Sequence, residues 1–198
     1  LDFDVAAPLL CAGITTYSPL ANWNVHEGQN VAVLGLGGLG HMGVQIAVAM
    51  GANVTVLSRT TSKEAYAKEL GASRLLATSE PDFFTNHRGE FDFILNTISA
   101  PIDLRGYLSL LKPFGAMVLV GLPPEGLEIS ARNLIAGDKA LAGSNIGGIA
   151  QTQEMLDFCA EHGIGARIEK IGVHDVDVAY DRVVAGDVRS RFVIDTAG

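Results

Sequence analysis

A glycine-rich turn between a strand pattern and a helix pattern constrains the fold of this chain most strongly. The motif Gly35-x-Gly37-Gly38-x-Gly40 follows the apolar run VAVL and precedes a helical pattern. In such a turn the first glycine permits a sharp bend, the second lets a diphosphate approach the backbone, and the third lets helix and strand pack closely. Free N–H groups and the positive end of the helix dipole would then face the anion. The turn therefore predicts dinucleotide binding, in preference to a turn that only packs; its residues are Gly35, Leu36, Gly37, Gly38, Leu39 and Gly40.

Short β-rich runs alternate with helical patterns along the chain. Several runs are apolar without alternation, which is typical of strands buried on both faces. The predicted strands are residues 31–35, 54–58, 74–78, 91–98, 117–122 and 141–146, and the predicted helices between them are 38–50, 62–70, 101–111 and 131–137. Ser62 is the expected N-cap and Gly71 the expected end of one helix, and Pro101 and Lys112-Pro113 bound another. The pattern predicts an α/β fold, a doubly wound six-stranded parallel sheet (Rossmann fold), most commonly in the order 3-2-1-4-5-6.

Two flanking segments fit this sheet less well. After a helical pattern at 151–162 the chain carries a short strand, a helix at 176–185 and a terminal strand at 191–195. We therefore expect partial remnants of a second, catalytic domain at both ends of the chain. The predicted division is 1–23 as an interdomain helix from that domain, 24–165 as the dinucleotide-binding domain, and 166–198 as a segment returning to the second domain.

The end of the second predicted strand indicates which dinucleotide is bound. NAD sites usually carry an acidic residue there, which bonds the ribose 2′-hydroxyl. This chain has Ser58, Arg59, Thr60 and Lys63, and no acid before Glu64. A carboxylate about 4 Å from a 2′-phosphate would cost about 4 kcal/mol per unit charge at an effective dielectric of 20, whereas cations and hydroxyls bind phosphate. We therefore predict NADP(H), the alternative being a solvated polar loop at a helix start.

Composition and charge restrict the partners. The 198 residues carry a net charge of −8 and are 48% hydrophobic. We expect no nucleic-acid partner and no membrane partner, because phosphate polymers would be repelled and no apolar run reaches about 18 residues. Cys11 and Cys159 form no spacing motif and no secretory signal opens the chain, so a reduced, cytoplasmic location is expected. An apolar edge strand at 141–146 favours a homodimer, and Leu1 in place of methionine suggests a fragment.

Five blocks of the sequence resemble the zinc-containing medium-chain alcohol dehydrogenases, and most closely their cinnamyl-alcohol-dehydrogenase-like branch. They are AAPLLCAGITTYSPL, GLGGLGHMGVQIA, LVGLP, GSNIGG and DVRSRFVID, and they run along essentially the whole chain. The resemblance implies an NADP(H)-dependent oxidoreductase that reduces aldehydes or oxidises primary alcohols, with zinc to polarise the substrate oxygen. It also implies that Cys11 is one ligand of that zinc in the intact enzyme.

The resemblance further implies where other cofactor contacts lie. Thr15 would lie near the phosphates or the nicotinamide, and Thr97 on the adenosine side. The residues that would flank the nicotinamide are Gly121, Ser144, Asn145 and Ile146. A catalytic zinc needs three protein ligands, so the other ligands and the catalytic residues would lie in an N-terminal domain. We expect the isolated chain to bind NADPH but neither to hold catalytic zinc nor to reduce an aldehyde.

The sequence is also compatible with other classes of protein. The same sheet occurs in zinc-independent quinone or enone reductases, against which Cys11 argues, and in non-catalytic dinucleotide-binding modules. A methyltransferase is disfavoured, because it would usually want an acid where Ser58 and Arg59 stand. His41 either approaches the phosphates or only covers its helix, and Arg191 lies either at the cofactor or on the surface.

Overall fold

The sheet has the predicted doubly wound topology. Its strands are β1 (Asn30–Leu34), β2 (Asn53–Ser58), β3 (Arg74–Ala77), β4 (Phe91–Asn96), β5 (Leu111–Leu119) and β6 (Ala140–Gly143). All six are parallel, in the order β3-β2-β1-β4-β5-β6. The computed structural model describes residues 1–185, 188 and 191–196, so the predicted C-terminal segment 166–198 lies partly outside the described residues. The prediction of an α/β Rossmann fold is confirmed.

Helices cover both faces of this sheet. They are α1 (Phe3–Ala6), α2 (Ala12–Asn22), α3 (Gly40–Ala49), α4 (Glu64–Glu69), α5 (Phe83–Asn86), α6 (Leu104–Ser109), α7 (Arg132–Ile135), α8 (Ile149–Glu161) and α9 (Val176–Val184). Two further strands, β7 (Ile168–Gly172) and β8 (Arg191–Asp195), pair in parallel as a separate two-stranded sheet. In the part of the chain that the structure describes, no helix has both the length and the apolar character to cross a lipid bilayer.

The register of the sheet brings the carboxyl ends of five strands to one edge. A row of paired residues crosses the sheet there, through Leu57, Leu34, Asn96, Leu119 and Gly143. The residues that follow this row are therefore neighbours on the same edge; they are Ser58, Gly35, Thr97, Val120 and Ser144. Open parallel sheets bind their ligands in the crevice at this edge.

The central strand β1 is buried on both faces. Val31 and Val33 pack in a first core with side chains of α2, α3 and α8, whereas Ala32 and Leu34 pack in a second core with α6. Successive side chains of a strand point to opposite faces, and none of these four is more than 1% exposed. Burial on both faces explains why the strand reads as a continuous apolar run.

The N-terminal segment is tied to the first core through α2. Leu9, Ile14 and Leu20 are at most 2% exposed. A methyl group on Gly13 would lie 2.9 Å from the sulfur of Met155 in α8, so the two helices pack closely at this point. Residues 1–23 therefore pack on the sheet, and their relation to a second domain stays a prediction.

The helix predicted at residues 101–111 is shorter, and both of its predicted limits are wrong. The carboxylate of Asp103 accepts a hydrogen bond from the Gly106 N–H at 3.0 Å, and α6 begins directly after it. Asp103 sets the start in place of Pro101, because it satisfies an amide that the first turn would leave unpaired. Lys112 and Pro113 do not end the helix but lie inside β5, which follows it almost at once.

Other boundaries also differ from prediction. Ser62 does not cap α4; a 3₁₀ turn, Thr61–Lys63, comes before it, and the Ser62 hydroxyl instead bonds the Thr60 hydroxyl at 2.9 Å. β5 and β6 end at 119 and 143 instead of 122 and 146. After β6 the side-chain oxygen of Asn145 accepts the Ile146 N–H at 2.9 Å, a local bond that competes with strand pairing.

Candidate dinucleotide site

The glycine turn has the backbone geometry that close approach of an anion requires. Gly35 has a φ of +93°, and its N–H donates to the Leu57 carbonyl at 2.9 Å, which ties the bend to β2. A methyl group on Gly40 would lie 2.1 Å from the Gly35 carbonyl oxygen, so α3 packs directly on the end of β1. A methyl group on Gly37 would meet no atom within 4 Å. Gly35 therefore makes the predicted bend, Gly40 allows the predicted close packing, and Gly37 leaves an open face.

Three backbone N–H groups of this turn are available to a ligand. Those of Gly37, Gly38 and Leu39 find no acceptor among the described residues. The helix that starts at Gly40 runs for 10 residues, and its dipole places partial positive charge at this end. Unpaired amides and a helix start together favour an anion such as a diphosphate.

A buried histidine, His41, contacts the backbone of the glycine turn. The His41 side chain is 0% exposed, with Nδ1 3.2 Å from the Gly37 carbonyl oxygen and Nε2 3.3 Å from the Arg167 backbone nitrogen. Because a backbone N–H can only donate, Nε2 is the acceptor and the proton sits on Nδ1. The pKa of His41 is lowered to about 4, chiefly by burial and also by the charge of Arg191, while the bond to the Gly37 carbonyl acts in the opposite direction. Arg191 itself reaches the turn, with Nε 3.4 Å from the Gly38 carbonyl oxygen.

The loop after β2 places two cations beside the turn. Lys63 donates from Nζ to the Leu36 carbonyl at 2.8 Å, which joins the loop to the glycine turn. Arg59 is exposed, and its guanidinium makes no ion pair or hydrogen bond within the described part of the chain. The Ser79 hydroxyl donates to the Arg59 carbonyl at 2.7 Å and so fixes the loop backbone. A 2′-phosphate at this position would meet a free guanidinium and a lysine already anchored at the turn.

The first acid after this loop along the chain, Glu64, is already paired. Glu64 accepts from Lys68 Nζ at 2.7 Å across one turn of α4. Both side chains are about half exposed, so the pair contributes little to stability. It does reduce the repulsion that Glu64 would exert on a phosphate held by Arg59.

At the end of β4 the predicted contact residue has a structural role as well. The Thr97 hydroxyl donates to the Leu34 carbonyl at 2.8 Å, which joins β4 to β1 beside the glycine turn. Gly121 is glycine for a packing reason, since a methyl group there would lie 2.2 Å from the Ile98 carbonyl oxygen. The contacts of both residues with a cofactor stay predictions.

The remaining predicted contact residues are spread over two elements. Ser144 donates from its hydroxyl to the Asn145 carbonyl at 3.1 Å, and Ile146 is 58% exposed. Thr15 lies in α2 and is 9% exposed. A methyl group on Gly147 would lie 2.6 Å from Ile14 Cδ1, so the loop after β6 packs against α2. The two elements are thus neighbours, and their contact with a nicotinamide stays a prediction.

The described residues do not by themselves form a zinc site. Cys11 is exposed at the start of α2, and no group of three or more His, Cys, Asp or Glu among the described residues could hold a metal ion. A catalytic zinc requires three protein ligands. Cys11 can therefore supply at most one ligand of such a site.

Sequence reasoning missed the residues that support the site from a distance. Arg167 bonds His41 across 126 positions, and Ser79 bonds Arg59 across 20. Neither residue belongs to a motif, so no local signal identifies them.

This sheet order, together with an open glycine turn after β1, defines a dinucleotide-binding α/β domain. The profile of the family described as "Zinc-binding dehydrogenase" matches residues 38–161, and the chain belongs to that family. Among its relatives, NADP-dependent alcohol dehydrogenase C 1 of Mycolicibacterium smegmatis is 57% identical over 197 residues, which are 100% of this chain and 56% of the relative. The chain thus spans little more than half of that relative's length.

Solved structures agree with this assignment. Cinnamyl alcohol dehydrogenase SbCAD4 of Sorghum bicolor matches with a TM-score of 0.96 and 44% identity, over 100% of this chain and 57% of that one. CAD from Helicobacter pylori complexed with NADP(H) matches with a TM-score of 0.90 and 42% identity, over 99% of this chain and 56% of that one. The resemblance to medium-chain alcohol dehydrogenases is therefore confirmed at the level of the family.

Proposed function

We propose that this chain binds NADP(H) and forms the cofactor-binding part of a zinc-dependent alcohol dehydrogenase or aldehyde reductase. The observation that carries the proposal is the pairing of an open turn with free amides and a cationic loop beside it. Relatives named as NADP-dependent, and one named as complexed with NADP(H), support the same cofactor.

The proposed contacts follow the carboxyl edge of the sheet. The diphosphate lies on the free amides of the glycine turn, and Arg59 and Lys63 bind the 2′-phosphate with help from the Ser58 and Thr60 hydroxyls. Thr97 lies on the adenosine side. The nicotinamide is flanked by residues after β5 and β6 and by α2, namely Gly121, Ser144, Asn145, Ile146 and Thr15.

The proposed reaction is hydride transfer between the nicotinamide and a primary alcohol or aldehyde. A zinc ion in the complete protein would supply a Lewis acid for the substrate oxygen, and Cys11 is the ligand that this chain would contribute. The match to a zinc-binding family argues against a zinc-independent quinone or enone reductase.

The proposed domain division keeps residues 24–165 as the cofactor domain and assigns 1–23 and 166–198 to its boundary with a second domain. One contact supports this grouping of the two ends, because Lys170 in β7 pairs with Asp4 at 2.8 Å and with Asp195 at 3.2 Å. We also propose a homodimer through β6, which lies at one edge of the sheet, where unpaired backbone groups invite pairing. A cytoplasmic location remains a prediction.

The 2′-phosphate contacts can be tested by two substitutions and one control. Arg59→Ala and Lys63→Gln should each weaken NADPH binding about tenfold or more, because each removes a charge-assisted bond to phosphate. NADH binding should change by less than about twofold, since it carries no 2′-phosphate. Lys112→Gln is the matched control, a lysine of β5 that pairs with Asp92. Isothermal titration calorimetry measures all four proteins. Equal losses for NADPH and NADH would contradict the assignment.

The zinc proposal has its own test. The purified chain should bind NADPH, contain less than stoichiometric zinc and reduce no aldehyde, because the described residues include no group of three or more potential zinc ligands. Elemental analysis and a reductase assay measure both properties. Stoichiometric zinc that is lost in Cys11→Ser, together with reductase activity of the chain, would overturn the proposal.

A further inference from the structure

A cavity lies away from the proposed cofactor site. It has a volume of about 860 Å³ and lies beside α5, α6 and α7. Leu104 and Leu108 of α6 pack in the second core, whereas α3, which begins at the glycine turn, packs in the first. The cavity therefore lies on the opposite face of the sheet from α3. Its volume is within the range of small-molecule sites, about 300–1,000 Å³.

Positive charge is concentrated around this cavity. It is lined by four cationic side chains and one carboxylate, a net charge of +3, in a chain whose net charge is −8. The cations are Arg88, Arg105, Arg132 and Lys139, and the carboxylate is Asp103. Such a local excess of one sign raises the local concentration of oppositely charged ligands.

The arginines of the cavity have no anionic partner among the described residues. The side chains of Arg88, Arg105 and Arg132 make no ion pair or hydrogen bond with any residue that the structure describes. Lys139 is half-buried and donates to the Leu108 carbonyl at 2.7 Å, its one hydrogen bond from Nζ within the described part of the chain. Burial, and then the charge of Arg88, lowers the pKa of Lys139. The charge of Arg88 is therefore close enough to repel that of Lys139.

The only carboxylate in the lining is already engaged. Asp103 accepts the Gly106 N–H as the cap of α6. Apolar side chains complete the wall, chiefly Phe84 and Leu108. A ligand with both charged and carbon-rich parts would find partners for each.

We propose that this cavity is a second anion site, which binds a small molecule carrying two or more phosphate groups through Arg88, Arg105, Arg132 and Lys139. Guanidinium groups bind phosphate in bidentate geometry, and two phosphate groups match the net charge of the lining. The proposal is independent of the NADP(H) site, because none of these residues belongs to the glycine turn or to the loop after β2.

The test uses inorganic pyrophosphate as the probe and NMR to locate it. The ¹⁵N-labelled chain is titrated with NADP⁺ present, so that the glycine turn is occupied. Amide signals of Gly106, Ser109 and Asn133 should shift saturably, while those of Gly37 and Gly38 should not move further. A titration in which the cavity signals do not shift would overturn the proposal.

Three variants make the result specific. Arg88→Gln should weaken pyrophosphate binding about tenfold. Asp103→Asn should strengthen it a few-fold, because the substitution removes a negative charge while the side-chain amide oxygen can still cap α6. Lys68→Gln, on the other face, should have no effect. Equal affinities for Arg88→Gln and Lys68→Gln, at unchanged thermal midpoints, would refute the site.

The two proposals can fail separately. Binding at the cavity without any binding of NADPH would leave the second site standing and overturn the proposed function. NADPH binding, with pyrophosphate shifting no cavity signals, would overturn the second site and leave the proposed function standing.

Discussion

Two alanine substitutions in the glycine turn should affect different properties, one cofactor binding and the other stability. Gly37 faces open space, so a methyl group there meets no protein atom within 4 Å, whereas one on Gly40 would lie 2.1 Å from the Gly35 carbonyl oxygen. Gly37→Ala should therefore weaken cofactor binding without loss of stability. Gly40→Ala should destabilise the fold.

The magnitudes follow from these distances. Ordinary contact begins at 3.4 Å, so the start of α3 must move about 1.3 Å from the end of β1 to admit a methyl group on Gly40. Overpacking of this kind costs about 3 kcal/mol, and alanine recovers up to about 1 kcal/mol of helix propensity, so a net loss of about 2 kcal/mol is expected. For Gly37→Ala, loss of one charge-assisted bond to the diphosphate predicts about 10- to 100-fold weaker NADPH binding. Its stability should change by less than about 0.5 kcal/mol.

Urea unfolding and titration calorimetry separate the two effects. Gly126→Ala is the matched control, because a methyl group on Gly126 also meets nothing within 4 Å and the residue belongs to no proposed contact. It should change neither quantity. NADPH binding by Gly37→Ala at the original affinity would refute the placement of the diphosphate on the turn, and an unchanged stability of Gly40→Ala would refute the packing argument.

Two further predictions concern buried titratable groups. The pKa of His41 is lowered in the folded chain from 6.5 to about 4. Between pH 6.5 and about pH 4 the unfolded state therefore binds more protons than the folded state. The free energy of unfolding falls as the pH drops through this range, by up to about 3 kcal/mol. Urea unfolding between about pH 4.5 and 7.5 should show this slope, and a His41→Gln variant that keeps the whole slope would contradict the assignment. Cys159 is 0% exposed and burial raises its pKa to about 11, whereas Cys11 is exposed. At about pH 8 a thiol reagent should therefore label only Cys11 in the native chain. Mass spectrometry that finds both cysteines labelled at the same rate would contradict this prediction.

Much of the fold could be predicted because its signals are local. Burial of β1 on both faces leaves a continuous apolar run, and the turn needs glycine at Gly35 for a positive φ and at Gly40 for close packing. The predicted ends of an element were wrong where a single side chain determines them. Asp103, for example, caps α6, which therefore does not start at Pro101.

The support of the site could not be predicted for a different reason. His41 bonds the backbone of Arg167, and Lys63 reaches Leu36 from the neighbouring strand's loop. These contacts depend on how distant segments pack, and no spacing rule along the chain encodes them. The cationic cavity is also assembled from separate elements, so its arginines carry no motif.

The most direct test of the central claim is calorimetric titration of the unaltered chain with NADPH and with NADH under identical buffer and salt. A free guanidinium at Arg59 and an anchored ammonium at Lys63 predict that NADPH binds at least about tenfold more tightly. Equal affinities, or no binding of either dinucleotide, would contradict the account.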